Sequence, residues 1–322
     1  MSETPRRPDG RPILCGNWAT LLLPIQADDR IDFGALDAEL DRIVAARVDG
    51  VYSNGTAGEF HNQTEDEFER IQAMMAAKCS AAGLPFAIGA CHPDPTVSGM
   101  RVRTAARLRP AAIQVILPDW WPPTDAEVVD FLAMMAEAAG GVPLILYNPP
   151  HAKRVLAPAT LGALAAAVPA VRAAKIADGD PQWYAQARRH LAGLALFLPG
   201  HHLATGMREG VAAGSFSNVA CLSPAGAQRW TDSMARNPDA ALLVERRLRD
   251  FMDRHIVPLQ RAHGYSNGAL DKLLAAIGDW APVGTRLRRP YRWIPADEAV
   301  RLRPIARAML PEILGDDVAA RA

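Results

Sequence analysis

The sequence predicts an α/β protein: a (β/α)8 TIM barrel followed by a C-terminal helical region. Short apolar segments alternate with amphipathic, helix-like segments between residues 16 and 236, which is typical of parallel βαβ units. Eight such units close a barrel and leave no strand over. The chain also lacks the GxGxxG and GxxxxGK[ST] motifs, one of which a doubly wound nucleotide-binding sheet usually carries.

The predicted strands are short apolar runs, most of which end at proline, glycine or a polar residue. In order they are Trp18–Leu23, Gly50–Ser53, Leu84–Gly89, Ala112–Leu117, Val142–Tyr147, Val171–Lys175, Leu194–Leu198 and Ser215–Val219.

The predicted helices alternate with these strands, and several have clear start signals. Asp32 is placed to cap the first helix. Thr64 with Glu67, and Thr124 with Glu127, have the spacing of capping boxes. The predicted helices are Phe33–Ala46, a helix that Thr64 opens, Pro95–Leu108, Val128–Ala139, Pro158–Val168, Pro181–His190, Leu203–Ala213 and Pro224–Ala235.

Strand signals stop after the eighth unit, and three more helices are predicted at Asp239–Ala262, Ala269–Ile277 and Ala296–Leu310. The segment Pro282–Pro295 reads as a surface loop. The predicted organisation is a flexible N-terminal extension over 1–15, a barrel over 16–236 and a C-terminal helical region over 237–322.

Composition excludes several classes of protein. The 322 residues carry no formal net charge and are 49% hydrophobic, which argues against nucleic acid or an acidic membrane as a partner. No secretory signal or membrane span is visible. The four cysteines stand far apart, which fits reduced thiols in a cytoplasmic protein better than a disulfide framework or a zinc site.

Lys175 ends the sixth predicted strand and is flanked by alanine and isoleucine. Burial disfavours the charged form of lysine and lowers its pKa. A neutral amine is a nucleophile that forms a Schiff base with a carbonyl compound. The alternative is a structural lysine whose ammonium group extends to the surface.

Two more polar residues fall where parallel strands end, which is where barrel active sites lie. Tyr147 ends strand 5 and could transfer protons, or it could simply pack at the rim. Thr56 follows strand 2 in the turn Gly55–Gly58. The backbone N–H groups and the hydroxyl of this turn could bind an anion, although glycines also mark ordinary turns.

Three segments resemble the signatures of the dihydrodipicolinate synthase / N-acetylneuraminate lyase family, in the same order and at similar spacing. They are Gly55-Thr56-Ala57-Gly58-Glu59, Tyr147-Asn148-Pro149-Pro150 and Lys175-Ile176-Ala177-Asp178-Gly179-Asp180. Gly200, the segment 214–217 and the segment 266–272 resemble later motifs of the family, so the resemblance extends from about residue 16 to about residue 310.

This resemblance implies a barrel of the class I aldolase or lyase type, usually a homotetramer, that acts on pyruvate or another 2-oxo acid without a cofactor or metal. It implies that Lys175 forms the Schiff base and Tyr147 shuttles protons. Thr56 and the Ala57 N–H would bind the carboxylate. We expect Gly55, Ala57, Trp120, Gly200, His201 and Phe216 to bind substrate, although packing at the mouth or at a subunit contact is the favoured alternative for Trp120 and Phe216.

The chain departs from the family pattern at four places. Ala57 lacks the usual hydroxyl. Ala152 stands where dihydrodipicolinate synthases carry a substrate-binding arginine, and Trp120 stands where they carry a relay tyrosine from a neighbouring subunit. The sequence His201-His202 replaces an acidic pair; these histidines could bind a metal, but a role in lining the pocket is favoured.

These departures argue against authentic dihydrodipicolinate synthesis and leave imine formation intact. We therefore expect a lyase that makes or cleaves a C–C bond next to a 2-oxo acid. The alternatives are a Schiff-base dehydratase of 2-oxo-3-deoxy sugar acids, 4-hydroxy-tetrahydrodipicolinate synthesis if Lys153 or Arg154 replaces the missing arginine, and a non-catalytic barrel. A homotetramer or homodimer is expected.

Overall fold

The computed structural model describes residue 10 and residues 12–315. Eight parallel strands form a closed barrel in sequence order, and the eighth pairs with the first. The strands are β1 Gly16–Thr20, β2 Gly50–Ser53, β3 Phe86–Gly89, β4 Ala112–Ile116, β5 Leu144–Asn148, β6 Val171–Ile176, β7 Ala195–Phe197 and β8 Ala212–Ser217. The predicted (β/α)8 TIM barrel is confirmed.

Helices connect the strands and continue into a C-terminal helical region. Around the barrel they are α1 Phe33–Ala45, α2 Glu65–Ala81, α3 Pro95–Arg107, α4 Asp125–Ala139, α5 Pro158–Ala167, α6 Pro181–His190, α7 Leu203–Arg208, α8 Asn218–Leu222 and α9 Pro224–Met234. Beyond it they are α10 Pro238–Phe251, α11 Val257–His263, α12 Asn267–Gly278, α13 Ala296–Met309 and α14 Pro311–Leu314. The Asp32 cap and both capping boxes are present.

The prediction of a helix over Leu203–Ala213 was wrong in its second half. Helix α7 ends at Arg208, and Gly210 takes a φ of 67°, a left-handed conformation that suits glycine and stops a helix. Ala212 and Gly214 then pair with β7. Alanine favours helices in isolation, but here strand pairing outweighs that preference.

The single helix predicted over Asp239–Ala262 is three segments in the structure. A π-helical turn, Met252–Ile256, separates α10 from α11. Pro258 lies in the first turn of α11, where its missing N–H cannot continue the hydrogen-bond ladder of the preceding helix. The turn brings Met252 and Ile256 to the mouth of the barrel.

Aromatic side chains fill the barrel interior beneath the carboxyl ends of the strands. Phe197 and Phe216 stack with their ring centroids 4.4 Å apart, and Tyr52 lies 4.4 Å from Phe216. Trp18 meets both phenylalanines edge to face. This packing closes the barrel below its mouth.

At least one residue before residue 16 packs into the barrel. Leu14, which the sequence assigned to a flexible extension, is buried in the barrel interior with Trp18. The rest of that predicted extension, residues 1–9 and 11, lies outside the described residues, as do residues 316–322 of the predicted C-terminal region. Within the described chain, no helix is both long enough and apolar enough to cross a membrane.

Candidate active site

Strand pairing brings Lys175 and Tyr147 together at the mouth of the barrel. Their Cα atoms are direct partners across β5 and β6. On the other side of β6, Lys175 is the partner of Phe197. Because β5 and β6 are neighbours in the closed barrel, the phenol and the amine share one mouth, as the sequence predicted.

The Lys175 ammonium group lies among aromatic rings. Its Nζ is 4.2 Å from the ring centroid of Tyr147, 5.0 Å from that of Tyr52 and 5.6 Å from that of Phe216. Burial away from water lowers the pKa of Lys175 to about 8, although nearby Asp271 acts in the opposite direction. A substantial fraction of the amine is therefore neutral near physiological pH.

Tyr147 is buried and exchanges a hydrogen bond with Thr56, whose Oγ1 lies 3.2 Å from the phenol oxygen. Burial raises the pKa of Tyr147 to about 12, while the Thr56 hydrogen bond partly offsets the rise. The phenol thus remains protonated at neutral pH and can donate a proton.

The turn that carries Thr56 is held from below and from above. A side chain on Gly55 would collide with the Tyr52 hydroxyl beneath it. Glu59, which ends the turn with a φ of 48°, accepts a hydrogen bond from Lys272 Nζ at 2.7 Å and another from the Arg288 N–H at 3.0 Å. The C-terminal helical region therefore fixes the position of the turn.

A cavity of about 360 Å³ opens above Lys175 and brings most of the predicted site residues together. Its lining includes Thr56, Ala57, Tyr147, Lys175, His201 and Phe216. Gly55, Gly200 and Trp120 do not line it. A Cβ on Gly200 would lie 2.6 Å from Ser217 Oγ, so this glycine permits close packing at the cavity wall.

The two histidines after β7 have different partners. His201 lines the cavity and shares a hydrogen bond with the Asn218 side chain. Burial lowers the pKa of His201 to about 4, so its ring is neutral. His202 Nδ1 contacts both carboxylate oxygens of Asp178 at 2.8 Å. In the described part of the chain, no group of three His, Cys, Asp or Glu side chains is arranged to hold a metal ion.

Asp271 on α12 lines the same cavity, although no role was predicted for it from the sequence. Burial raises the pKa of Asp271 to about 7, while the charge of Lys175 lowers it. Its neighbour Lys272 is fully buried. The signal available in the sequence was an adjacent aspartate and lysine within an otherwise apolar helix.

A second cavity, of about 220 Å³, adjoins the first and shares Thr56 and Tyr147 with it. Ala152 and Arg154 line it, but the Arg154 guanidinium group binds Asp125 and the Pro123 carbonyl. Lys153 donates to the Trp120 carbonyl at 2.9 Å.

Trp120 itself was expected to bind substrate. Its side chain is 87% exposed and lines neither cavity of this chain. It follows β4 at the outer rim, where Lys153 Nζ lies 5.0 Å from the centroid of its ring. A contact of Trp120 with substrate stays a prediction.

Comparison with known proteins gives one family match. The model of the dihydrodipicolinate synthetase family matches residues 14–260. A 4-hydroxy-tetrahydrodipicolinate synthase of Thermomicrobium roseum is 31% identical over 149 residues, 46% of this chain and 48% of that protein. An N-acetylneuraminate lyase of Escherichia coli is 25% identical over 184 residues, 57% of this chain and 62% of that protein. The matches thus span roughly half the length of these curated relatives.

Solved structures extend the similarity of fold over nearly the whole chain. DHDPS from Cyanidioschyzon merolae with lysine bound superimposes with a TM-score of 0.80 at 20% identity, covering 92% of this chain and 98% of that one. CdNal from Clostridium difficile in complex with mannosamine gives 0.79 at 15% identity, covering 92% and 99%. At these identities the likeness establishes the fold.

We predict that Lys175 reacts with an amine-directed acylating reagent at lower pH than the other lysines. With a pKa of about 8, about one tenth of Lys175 is neutral at pH 7, and this fraction rises as the pH passes 8. Lys78 is the internal control, because ion pairs with Asp37 and Asp41 outweigh desolvation and raise its pKa. Peptide mass spectrometry across a pH series measures both; equal labelling profiles would contradict the prediction.

Proposed function

The chain belongs to the dihydrodipicolinate synthetase family, and on that premise we propose that it is a class I lyase acting through an imine on Lys175. The observation that carries the proposal is the single cavity lined by Lys175, Tyr147 and Thr56. A partly neutral amine, a protonated phenol and a hydroxyl-bearing turn are the three groups that imine chemistry on a 2-oxo acid needs.

Each group has a role in forming the imine. The neutral amine of Lys175 attacks the 2-oxo carbon, and a carbinolamine forms. Tyr147, whose hydroxyl contacts Thr56, supplies the proton that lets water leave. The substrate carboxylate binds the Thr56 hydroxyl and the Ala57 N–H, an arrangement of donors that favours anions.

Once the iminium ion has formed, a 4-hydroxy-2-oxo acid can be cleaved. The C4 hydroxyl loses its proton, the C3–C4 bond breaks, and its electron pair moves into the iminium to give an enamine and an aldehyde. Protonation of the enamine at C3 and hydrolysis then release the shortened 2-oxo acid and restore Lys175. Condensation is the same sequence in reverse.

We propose a substrate whose tail is uncharged, either polyhydroxylated or aromatic. Among the described residues that line the cavity there is no arginine, and Lys175 is the only lysine. Arg154 and Lys153, the candidates to replace the family's arginine, are bound to other groups at the rim. A second carboxylate would thus lack a bidentate partner.

A dehydratase of 2-oxo-3-deoxy sugar acids is the second candidate, because it uses the same imine. In dehydration C3 loses a proton to give the enamine, which then expels the C4 hydroxyl as water while the C3–C4 bond stays intact. Release of pyruvate from a substrate panel distinguishes cleavage from dehydration. A non-catalytic barrel would form no imine at all.

We further propose that the protein acts in the cytoplasm as a homotetramer or homodimer, with no nucleic-acid or membrane partner. Trp120 and Trp121 are 87% and 78% exposed beside the mouth of the barrel, and aromatic side chains are enriched at protein interfaces. Light scattering of the purified protein tests the assembly.

We predict that borohydride reduction in the presence of pyruvate attaches one adduct to the Lys175 peptide. Intact-mass and peptide mass spectrometry measure it, and the sequence has only four lysines to distinguish: Lys78, Lys153, Lys175 and Lys272. Lys175→Ala should abolish the adduct while thermal unfolding remains cooperative. Labelling at Lys153 or Lys272 in its place would overturn the assignment.

Tyr147→Phe keeps the ring beside Lys175 and removes the proton donor. We expect kcat to fall by about 10²–10⁴, the usual contribution of one acid–base group, with a much smaller change in KM. Steady-state kinetics on the best substrate of the panel measures both constants. An unchanged kcat would mean that Tyr147 only packs against the lysine.

The neutral-tail assignment predicts poor condensation of pyruvate with aspartate semialdehyde and measurable turnover of a 2-oxo acid with an uncharged tail. Coupled assays on the purified enzyme compare kcat/KM for the two. A value of about 10⁴ M⁻¹s⁻¹ or more with aspartate semialdehyde, the ordinary enzymatic range, would show that Lys153 or Arg154 supplies the missing cation.

A further inference from the structure

Asp271 is a half-buried acidic residue to which the imine mechanism assigns no role. It lies on α12 in the C-terminal helical region, beyond the residues 14–260 that the family model matches. Its side chain lines the cavity that holds Lys175, and desolvation there raises its pKa.

Contacts made by residues before and after Asp271 in the helix fix its position. The next residue, Lys272, donates to Glu59 at 2.7 Å and also to the Arg286 carbonyl. Three residues before it, Gly268 lets the helix approach the Thr56 turn so closely that a Cβ would lie 3.1 Å from the Thr56 carbonyl oxygen. The start of α12 therefore packs directly against the Thr56 turn, which is expected to bind the substrate carboxylate.

The carboxyl group of Asp271 has no hydrogen bond or ion pair with any residue that the structure describes. The residue is half-buried, so its unpaired carboxyl group is open to the cavity, where a bound molecule could pair with it. The titratable groups that face it are Lys175 on β6, Tyr147 on β5 and Cys221 on α8, while His201 lines the same cavity. Since it forms no ion pair with Lys175, the two groups can contact different parts of one bound molecule.

Resting on the proposed imine function, we propose that Asp271 is a catalytic residue that exchanges a proton with the hydroxyl oxygen on C4 of the substrate. In cleavage, its carboxylate takes the proton from the C4 hydroxyl as the C3–C4 bond breaks. The electron pair of that bond forms the enamine, and the aldehyde leaves. In condensation, the carboxylic acid returns the proton to the aldehyde oxygen as the new bond forms.

This assignment gives the two acid–base groups of the cavity separate tasks. Tyr147 has a pKa of about 12, so it is a proton donor but a weak base at neutral pH. The pKa of Asp271, raised to about 7 by burial, suits both acceptance and donation near that pH. The assignment also fits the uncharged tail proposed for the substrate, since an ionised Asp271 would repel a second carboxylate.

Asp271→Asn tests the proposal, because the amide keeps the shape of the side chain and cannot accept the proton. Two readouts are measured: borohydride trapping of pyruvate on Lys175, and release of pyruvate from a panel of 4-hydroxy-2-oxo acids with uncharged tails. We expect trapping to persist and kcat for cleavage to fall by about 10² or more. Asp271→Glu should recover part of the loss.

The pH profile adds a readout that a structural role would not change. In the wild-type enzyme kcat for cleavage should decrease as the pH falls below about 7, where Asp271 becomes protonated, and Asp271→Asn should lose this dependence. Asp279→Asn is the matched control, at the other end of α12 and outside both cavities. It should leave cleavage and trapping unchanged.

The outcomes separate this inference from the proposed function. If the wild-type protein traps no pyruvate, the imine proposal itself fails. If trapping occurs but Asp271→Asn retains full cleavage activity and the pH dependence, the role of Asp271 is overturned. It is also overturned if the variant loses trapping together with cleavage, or if the wild-type enzyme traps pyruvate yet cleaves no member of the panel.

Discussion

The desolvation of one amine, that of Lys175, is the constraint on which the rest of the site depends. A lysine at the end of a barrel strand normally reaches water, but here aromatic rings surround its Nζ. The stacked phenylalanines below and the C-terminal helices above keep the mouth narrow. The resulting loss of hydration makes the amine partly neutral and thus nucleophilic.

A second lysine, Lys272, is also desolvated, and it differs from Lys175 in having an ion-pair partner. Lys272 is fully buried, whereas Lys175 is half-buried and faces the cavity. Desolvation lowers the pKa of Lys272 as well, but its ammonium group lies 2.7 Å from the Glu59 carboxylate, which stabilises the charge. Removing one partner of such a buried pair typically costs about 3–5 kcal/mol, because the other charge is left uncompensated. Lys175 has no ion-pair partner in the described chain, so its proton is held weakly. Lys272 therefore links the C-terminal region to the Thr56 turn, while Lys175 is the lysine that we propose as the nucleophile.

Much of the fold and part of the site followed from local sequence patterns. The alternation of apolar segments gave the barrel, and neighbouring strands necessarily placed Tyr147 beside Lys175. What could not be predicted depends on contacts between distant parts of the chain. Asp271 reaches the cavity only because Lys272 and Gly268 attach α12 to the Thr56 turn. The exposure of Trp120 likewise depends on where its loop leaves the barrel, which periodicity does not encode.

Exchange of the methyl protons of pyruvate in D₂O tests the central claim most directly, because it needs no knowledge of the aldehyde half of the substrate. An imine on Lys175 acidifies C3, and reversible enamine formation replaces its protons with deuterium. Proton NMR should show the methyl signal of pyruvate decaying with the wild-type protein and remaining constant with Lys175→Ala. A constant signal with the wild-type protein, or decay that persists in the variant, would contradict the account.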